Sequence, residues 1–288
     1  MNFLREQYFP LLHPFYHRVK RWRKERFSSA PECRIIKGAP VSVVEYTLPE
    51  NPLLPEGKKI AFLSDLHFHE KNKFRRIAAH TVELLEKYAP DYLFFGGDMC
   101  GDADEVKLLN EIMEPLCRCA GVCLATGGNW EYGKGWFPEG FWENFYAKYG
   151  VRYLANAQYC DENFAVSGVM DISTGRSRLP APVPERFNIL LAHSPDTAVA
   201  LERGDLPVFP QLVLCGHTHG GQVNIPFLNR PLHIHSRYGN FFAHGVYRHQ
   251  RRDSVMLVSA GLGELSFPLR FNCPRELLFV RTGERSKI

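Results

Sequence analysis

The 288-residue chain lacks a long uninterrupted apolar run. No stretch approaches the ~20 consecutive apolar residues that a membrane-spanning helix needs. The N-terminal segment also lacks the apolar centre of a secretory signal peptide. We find no internal repeat and no low-complexity tract. These absences disfavour a membrane-spanning, secreted or repeat protein, and the length suits one large globular domain or two small ones.

The cysteines lack the spacing of a disulfide framework. There are eight, at irregular intervals, and several lie inside apolar runs such as LVLCGH. We therefore expect reduced, mostly buried thiols, as in a cytosolic protein. Cys117, Cys119 and Cys123 form one local cluster, but no second paired cluster accompanies them, so a thiolate metal site is not expected.

Most of the chain lacks an excess of positive charge. Residues 1–27 hold seven Lys or Arg and two Glu, a net +5, which leaves −1 for the rest of a chain whose total is +4. The basic residues are therefore concentrated at the N-terminus. A nucleic-acid-binding body is not expected from this distribution.

Residues 1–30 have the pattern of a basic amphipathic segment. Pro14 suits the first turn of a helix that begins near His13. One side of the segment is basic and the other suits the interface of an anionic membrane, so we expect a cytoplasmic protein peripheral on the inner face of the cell membrane. The alternative is a helix packed on the protein's own body. The apolar residues at helical spacing are Leu4, Tyr8, Leu11, Phe15, Val19 and Trp22.

Apolar runs and helical patterns alternate through residues 41–285, which we treat as one domain. Uniformly apolar strands separated by helices predict an α/β fold with strands covered on both faces. The last third is richer in strands, so the sheet is expected to be mixed or doubled. The predicted strands are KIAFLSD, DYLFFGGD, GVCLATGGN, FAVSGVM, FNILLAH, QLVLCGH, SVMLVSAG and ELLFVRT, and the predicted helices cover 72–88, 103–116 and 138–149.

Five of these strands end in polar residues of metal-ligand type. In α/β sheets, sites form outside the carboxyl ends of strands. Each residue alone has an ordinary explanation as a helix cap or turn residue. Together they match the number of ligands that two metal ions need. The residues are Asp65, His67, Asp98, Asn129, His193, His217 and His219.

Carboxylate, imidazole and amide ligands suit Mn²⁺, Fe²⁺ or Zn²⁺ rather than Ca²⁺, and we expect Mn²⁺. Two such ions ~3.5–4 Å apart are used for hydrolysis at phosphorus. Asp98 is the candidate bridging carboxylate because it follows a central strand. Asp98, Asn129 and His193 are the candidate catalytic residues.

The ordered blocks DLH, GGD, GGN, an isolated His after an apolar strand, and GHTHGGQ resemble the calcineurin-like metallophosphoesterase superfamily over about residues 60–280. The tail PLRFNCP resembles a bacterial branch with the extended GHTHGGQ block. The resemblance implies a four-layer αββα sandwich, with two mixed sheets flanked by helices. It implies one metal on Asp65, His67, Asp98 and His219, and a second on Asp98, Asn129, His193 and His217.

The chain departs from the superfamily at Trp130. The third block usually reads GNH followed by an acid, and that His assists the leaving group; here Trp130 replaces it, followed by Glu131. The tryptophan has no proton to transfer at a useful pKa. A general acid contributes ~10²–10⁴-fold, mainly when the leaving group is a poor one. The departure therefore favours a phosphoanhydride, whose leaving group departs as a stable anion.

The chain resembles, within this superfamily, the UDP-2,3-diacylglucosamine pyrophosphohydrolases of lipid A biosynthesis, which are peripheral membrane enzymes. The resemblance implies hydrolysis of this phospholipid-like nucleotide to UMP and 2,3-diacylglucosamine 1-phosphate. We expect the protein to be a monomer. One alternative is a broad-specificity phosphodiesterase or phosphomonoesterase with the same metals. Another is a non-catalytic scaffold, which would have little need for seven ligands.

Several further residues are candidate substrate contacts or have two alternative roles. Trp130, Trp136 and Phe137 are candidate substrate contacts, whereas Phe141, Phe145 and Tyr149 have the spacing of a helix's core face. His69 either replaces the missing proton donor or is a surface loop residue. Arg270 and Asn272 either lie near a substrate phosphate or serve packing and turn roles.

Overall fold

The computed structural model describes residues 19–67, 71–100, 102–133, 137–174, 176–202, 208–225, 236–238, 240–265 and 268–283. Its strands are Trp22–Glu25 (β1), Cys33–Ile36 (β2), Val41–Thr47 (β3), Lys59–Leu63 (β4), Tyr92–Phe95 (β5), Val122–Ala125 (β6), Arg152–Tyr153 (β7), Ala157–Cys160 (β8), Phe164–Val169 (β9), Phe187–Ala192 (β10), Leu212–Cys215 (β11), Gly245–His249 (β12), Val255–Val258 (β13) and Arg275–Arg281 (β14). The helices are Lys71–Tyr88 (α1), Ala103–Cys117 (α2), Asn129–Gly133 (α3), Phe141–Ala147 (α4) and Pro195–Leu201 (α5), with short 3-10 helices at Ile172–Thr174 and His219–Gly221.

The strands form two sheets of seven strands each. The first has the order β1-β12-β13-β11-β10-β9-β8, and the second β2-β3-β14-β4-β5-β6-β7. Strands β13, β11, β10 and β9 run parallel, as do β4, β5, β6 and β7. Antiparallel pairs, such as β14 with β4 and β12 with β13, make both sheets mixed.

The two sheets pack face to face, and the alternation of side chains along each strand fills separate cores. In β4, Ile60 and Phe62 join the cluster between the sheets, whereas Ala61 and Leu63 join the cluster under the helices. In β10, Ile189 contributes to the cluster between the sheets. Because both faces of these strands are covered, their sequences are apolar throughout rather than alternating.

Helices cover the two outer faces. Helices α1, α2 and α4 place Phe74, Leu109 and Phe145 against the second sheet, and α5 places Val199 against the first. Helix α2 begins where Asp102 accepts a hydrogen bond from the Glu105 backbone N–H, as an N-cap residue does. The architecture is the predicted four-layer αββα sandwich.

The predicted strands all correspond to observed ones: β4, β5, β6, β9, β10, β11, β13 and β14. The three predicted helices correspond to α1, α2 and a shorter α4. The helical interpretation of Trp22 is wrong. This residue lies in β1, pairs antiparallel with β12 and is 2% exposed. Pairing with a strand distant in sequence outweighs local helical patterning there.

The described part of the N-terminal segment therefore belongs to the sandwich, and residues 1–18 lie outside the described residues. No described helix combines the length and the apolar character needed to cross a membrane. All eight cysteines are unpaired, and four of them are buried. The Cys123 thiol lies 3.5 Å from the carbonyl of Cys117, and the described candidate metal groups include no cysteine.

Candidate dinuclear metal centre

Strand ends of both sheets meet at one edge of the sandwich. From the second sheet, Asp65 and His67 follow β4, Asp98 follows β5, and Asn129 begins α3 after β6. From the first sheet, His193 follows β10. His217 and His219 follow β11, also in the first sheet. The structure thus brings all seven predicted ligands to one place.

The ligand atoms fall into two groups, each with its atoms within 4.8 Å of one another. Asp98 lies between the groups, because its Oδ2 is 3.4 Å from His67 Nε2 and 3.1 Å from His193 Nε2. Asn129 Oδ1 is 3.2 Å from His193 Nε2 and so adjoins the second group. The first group is Asp65, His67 and His219, and the second is Asp98, His193 and His217.

Hydrogen bonds between the sheets fix the orientation of these side chains. The Asp65 carboxylate accepts from the His217 backbone N–H at 2.9 and 3.0 Å. His193 Nδ1 lies 2.9 Å from the Gly96 carbonyl, which directs Nε2 towards the second group. Such outer contacts set the tautomer and ring orientation of a histidine ligand.

The backbone at this edge is strained. Asp65, Asp98, His217 and His219 have φ values of 54°, 52°, 71° and 49°, in the left-handed region that non-glycine residues avoid. Such conformations cost ~1–3 kcal/mol each and persist where the surrounding structure enforces them. Strain concentrated on residues of ligand type is what a functional site is expected to show.

Glycines provide the space for the two carboxylates. A Cβ on Gly128 would collide with the Asp98 carboxylate, and a Cβ on Gly216 would collide with that of Asp65. The GGN and GHTH blocks therefore need glycine at these positions because carboxylates pass close to the backbone.

Glu131 is a buried residue of the site to which the sequence reasoning gave no role. Its carboxylate accepts from the backbone N–H groups of Asp98, Met99 and Gly128, each at 2.8 Å. It therefore joins the loops after β5 and β6. Burial and the nearby Asp98 carboxylate raise the pKa of Glu131 to about 7. Its signal in the sequence was that an acid stands two residues after the Asn129 of the GGN block.

The chemistry of the donor set fits divalent metal ions. The Nε2 atoms of His67 and His219 are buried and make no hydrogen bond. Asp65 and Asp98 are buried, and in the described ranges neither pairs with a Lys or Arg. Buried carboxylates without such partners coordinate metals or neutralise.

The carboxylate and imidazole groups of the donor set shift each other's pKa values. Burial raises the pKa of Asp98, but His193 and His67 outweigh burial and hold it well below its usual value. Burial and the neighbouring His67 lower the pKa of His219 well below its usual value, which favours the neutral imidazole that metals bind. The same pairing outweighs burial and raises the pKa of His193 and of His67, so a metal ion that binds these rings would displace their protons.

A cavity of about 650 Å³ opens beside the second group, two of whose residues, Asp98 and His217, are in its described lining. Trp130 lines it, meets the His67 ring edge-on at 5.2 Å, and donates its backbone N–H to Asp98 Oδ1 at 2.9 Å. The described lining consists of Asp98, Asn129, Trp130, Tyr132, Gly133, Asp171, Ile172, Ser173, Thr174, Ser194, Asp196, His217, Arg237 and Leu265.

Among the other candidate substrate residues, Phe137 lies away from the cavity. Phe137 stacks on Phe141 at 4.5 Å and contacts Trp142 at 4.9 Å, in the aromatic cluster against the second sheet, and it is absent from the described cavity lining. Trp136 and His69 lie outside the described residues.

Arg270 has a packing role behind the GHTHGG loop. Its guanidinium donates to the carbonyls of Ala260 and Gly263 at 2.8 Å and lies 3.5 Å from His219 Nδ1. Asn272 occupies a turn with φ 50°, and its carbonyl accepts from the Asn224 side chain at 3.4 Å. Of the two interpretations of the PLRFNCP tail, these contacts match packing and turn formation.

Comparison with known proteins identifies the family. Residues 58–221 match the calcineurin-like phosphoesterase family, and the chain belongs to it. Members of this family are metal-dependent phosphoester hydrolases that use divalent metal ions, in agreement with the two candidate groups.

Relatives are found in bacteria and animals. A Caenorhabditis elegans protein named as a metallophosphoesterase, F40B5.2, is 32% identical over 240 residues, which cover 77% of this chain and 47% of the relative. The chain thus spans about half of that protein's length. The uncharacterized metallophosphoesterase YkuE of Bacillus subtilis is 27% identical over 266 residues, 85% of this chain and 86% of YkuE. Phosphodiesterase YaeI of Escherichia coli is 28% identical over 181 residues, 60% of this chain and 64% of YaeI.

Proposed function

We propose that the chain is a dinuclear-metal hydrolase that cleaves a phosphoanhydride or phosphodiester. The observation that carries this proposal is Trp130, which lines the cavity and lies against His67 at the position where the superfamily pattern has a histidine. The preferred metal is Mn²⁺, with Fe²⁺ or Zn²⁺ as the other borderline ions that this donor set accepts.

Each ligand group would hold one ion. Asp65, His67 and His219 would hold the first, and Asn129, His193 and His217 the second. Asp98, which lies near both groups, would bridge them. When bound, the ions supply Lewis-acid activation of water and of the phosphoryl oxygen.

The chain's own residues orient this centre. The Gly96 carbonyl fixes the His193 ring, and the Trp130 backbone N–H fixes the Asp98 carboxylate. Glu131 holds together the two loops that carry Asp98 and Asn129. Because these groups are positioned before the substrate binds, the reaction needs little rearrangement of the protein.

The leaving group follows from Trp130. The indole N–H is not transferred at physiological pH, so the preferred leaving group departs as a stable anion. UDP-2,3-diacylglucosamine meets this requirement: water adds to one phosphorus, the P–O–P bond breaks, and UMP and 2,3-diacylglucosamine 1-phosphate are released. The resemblance in sequence favours this substrate, and a cavity of about 650 Å³ is of ligand-binding size.

A broad phosphodiesterase is the second candidate. The observation in its favour is the 28% identity to a relative named as a phosphodiesterase. Such an enzyme would use the same metal ligands and would likewise have no histidine at position 130. It would differ only in accepting soluble diesters.

The two candidates are separated by assaying metal-depleted protein reloaded with Mn²⁺, Fe²⁺ or Zn²⁺. The substrates are UDP-2,3-diacylglucosamine, bis-p-nitrophenyl phosphate and p-nitrophenyl phosphate. We expect the anhydride and the diester to be cleaved faster than the monoester. The Asp98→Asn variant, purified in parallel, is the control for contaminating phosphatases. Turnover of the chromogenic esters alone would exclude the lipid substrate. Absence of both bound metal and turnover would favour the scaffold.

We also propose that the protein acts as a monomer on the cytoplasmic face of an anionic membrane. The support is the group of four exposed cations in β1 and its flanks, Lys20, Arg23, Lys24 and Arg26. Such clusters attract anionic lipid headgroups by ~1 kcal/mol per cation.

A further inference from the structure

A short turn, 236–238, carries Arg237 to the cavity beside the metal-ligand groups. Arg237 is the only Lys or Arg in the described lining, which also includes Asp98, Asn129 and His217. The reaction described above gives this side chain no role.

The backbone of this turn is firmly anchored. The Asp196 carboxylate accepts from the Arg237 backbone N–H and from Ser236 Oγ, both at 2.6 Å. Ser236 Oγ in turn accepts from the Tyr238 backbone N–H at 3.1 Å. Asp196 is buried and stands three residues after His193. The position of Arg237 is therefore tied to the strand end that delivers a ligand of the second group.

The guanidinium itself is uncommitted. The side chain is exposed, and within the described parts of the chain it makes no ion pair and no hydrogen bond. The nearby acids are already engaged: Asp196 binds the turn, and Asp171 accepts from Ser194 Oγ at 2.7 Å and Thr197 Oγ1 at 3.0 Å. The charge and the donors of Arg237 thus remain available to a bound molecule.

We propose that Arg237 is a specificity-determining residue that binds a second, non-reacting anionic group of the substrate, such as the other phosphate of a diphosphate. A guanidinium binds such a group through paired N–H donors. This inference rests on the proposed function, because the reacting phosphorus must lie at the metal groups while the second anion reaches Arg237. The enzyme then prefers a diphosphate to a diester with a single phosphate.

The test compares binding of UDP and UMP to metal-saturated protein by isothermal titration calorimetry. UDP can place one phosphate on the metals and the other on Arg237, whereas UMP has only one. We expect Arg237→Gln to weaken UDP binding by about tenfold or more. The affinity for UMP should change less than threefold. Arg237→Lys should give an intermediate loss of UDP affinity, because lysine keeps the positive charge but lacks the paired N–H donors of a guanidinium.

The matched control is Arg251→Gln, an exposed arginine outside the cavity lining, for which the UDP to UMP affinity ratio should equal that of the wild type. An unchanged ratio in Arg237→Gln, or a wild type that binds neither nucleotide, would overturn the assignment of Arg237. Hydrolysis of bis-p-nitrophenyl phosphate by the wild type is measured in parallel. Absence of hydrolysis of both this diester and UDP-2,3-diacylglucosamine with all three metals would refute the proposed function separately.

Discussion

Trp130 contributes to the site through two different parts of the residue. Its backbone N–H positions Asp98, and its indole lies against His67 at the cavity. A substitution of the side chain keeps the backbone hydrogen bond and changes only the chemistry at the leaving group. The residue is therefore a suitable place to test how the departing oxygen is stabilised.

We predict that Trp130→His restores a proton donor. Hydrolysis of esters with alkyl leaving groups should rise by at least tenfold, within the ~10²–10⁴-fold range of general acids, whereas p-nitrophenyl esters should change little. The measurement is a plot of log kcat/KM against the pKa of the leaving group. The slope of this plot should become less steep in the variant. Trp130→Phe, which adds no donor, should retain the wild-type slope. An equal slope in Trp130→His would contradict this interpretation.

At the scale of elements, β1 is held to the sandwich by a buried polar cluster. Glu202 accepts from Arg21 at 2.8 Å and from His249 at 3.0 Å, and the Trp22 ring meets the His249 ring edge-on at 4.9 Å. Burial raises the pKa of Glu202, but the hydrogen bonds from His249 and Arg21 outweigh it and lower the pKa below its usual value. The ionised form of Glu202 therefore stabilises the folded state.

We predict that Glu202→Gln lowers the free energy of unfolding at pH 7 by about 1.5–3 kcal/mol, the value of hydrogen bonds to a charged group. Because the folded-state pKa of Glu202 is depressed, its contribution is complete well above the unfolded-state pKa. It is lost as the pH falls through the folded value. Urea unfolding at a series of pH values should show the difference between wild type and variant narrowing below about pH 4.5.

Glu86→Gln provides the comparison for this experiment. Glu86 pairs with Arg118 at 2.9 Å, but both side chains are more than half exposed. Exposed pairs contribute little to stability, so this variant should unfold nearly as the wild type does. Equal effects of the two substitutions at pH 7 would show that Glu202 does not anchor β1.

The elements that could be predicted from the sequence are those whose burial is visible locally. The parallel strands are short apolar runs, and glycine directly follows them in the case of β5 and β11. By contrast, β2 and β8 are partly exposed edge strands that exist because of partners across the sheet. Strand β1 was misjudged for the same reason, since its partner β12 lies at the other end of the chain.

The residues of the site likewise divide into those that the sequence predicts and those that only the folded structure identifies. The seven residues of ligand type stand at strand ends, where topology alone brings them together. Arg237 and Glu131 could not be assigned from the sequence. Arg237 lies in a turn positioned by Asp196, and the role of Glu131 depends on three backbone N–H groups that converge only in the folded chain.

At the scale of the whole molecule, the exposed cations around β1 allow a test of membrane binding. We predict that replacing Lys20, Arg23 and Arg26 together by Gln weakens sedimentation with phosphatidylglycerol vesicles by at least tenfold, given ~1 kcal/mol per cation. The matched control replaces three exposed lysines by Gln and so makes the same change in net charge. These lysines lie on the helices that cover the second sheet, or directly after one of them: Lys87, Lys107 and Lys148. Equal loss in both variants would mean unspecific attraction. No loss in either would refute membrane binding by this edge.

Truncation is a poorer design for this question. Removing residues 1–27 would delete Trp22 and Phe27, each only 2% exposed. A truncated protein that failed to bind vesicles could simply be unfolded. Charge substitution on the edge strand keeps these buried side chains in place.

The ligand groups draw on both sheets, so bound ions would link the two halves of the sandwich. We predict that chelation lowers the melting temperature measured by scanning calorimetry and that added Mn²⁺ restores it. A ligand at 100 times its Kd stabilises the folded state by about 2.7 kcal/mol. Asp98→Asn should reduce the difference in melting temperature between chelated and metal-loaded protein. A melting temperature that does not depend on metal would contradict the prediction that bound ions link the two sheets.

This shared centre connects the amount of the protein in a cell to its metal supply. Chains that acquire no ions retain strained loops and buried carboxylates at the edge where the sheets meet. Such chains open more often, and proteases degrade chains that open. We therefore expect metal starvation to reduce the abundance of the protein as well as its turnover rate, and pulse-chase labelling in metal-depleted and metal-replete cells would measure this difference in lifetime.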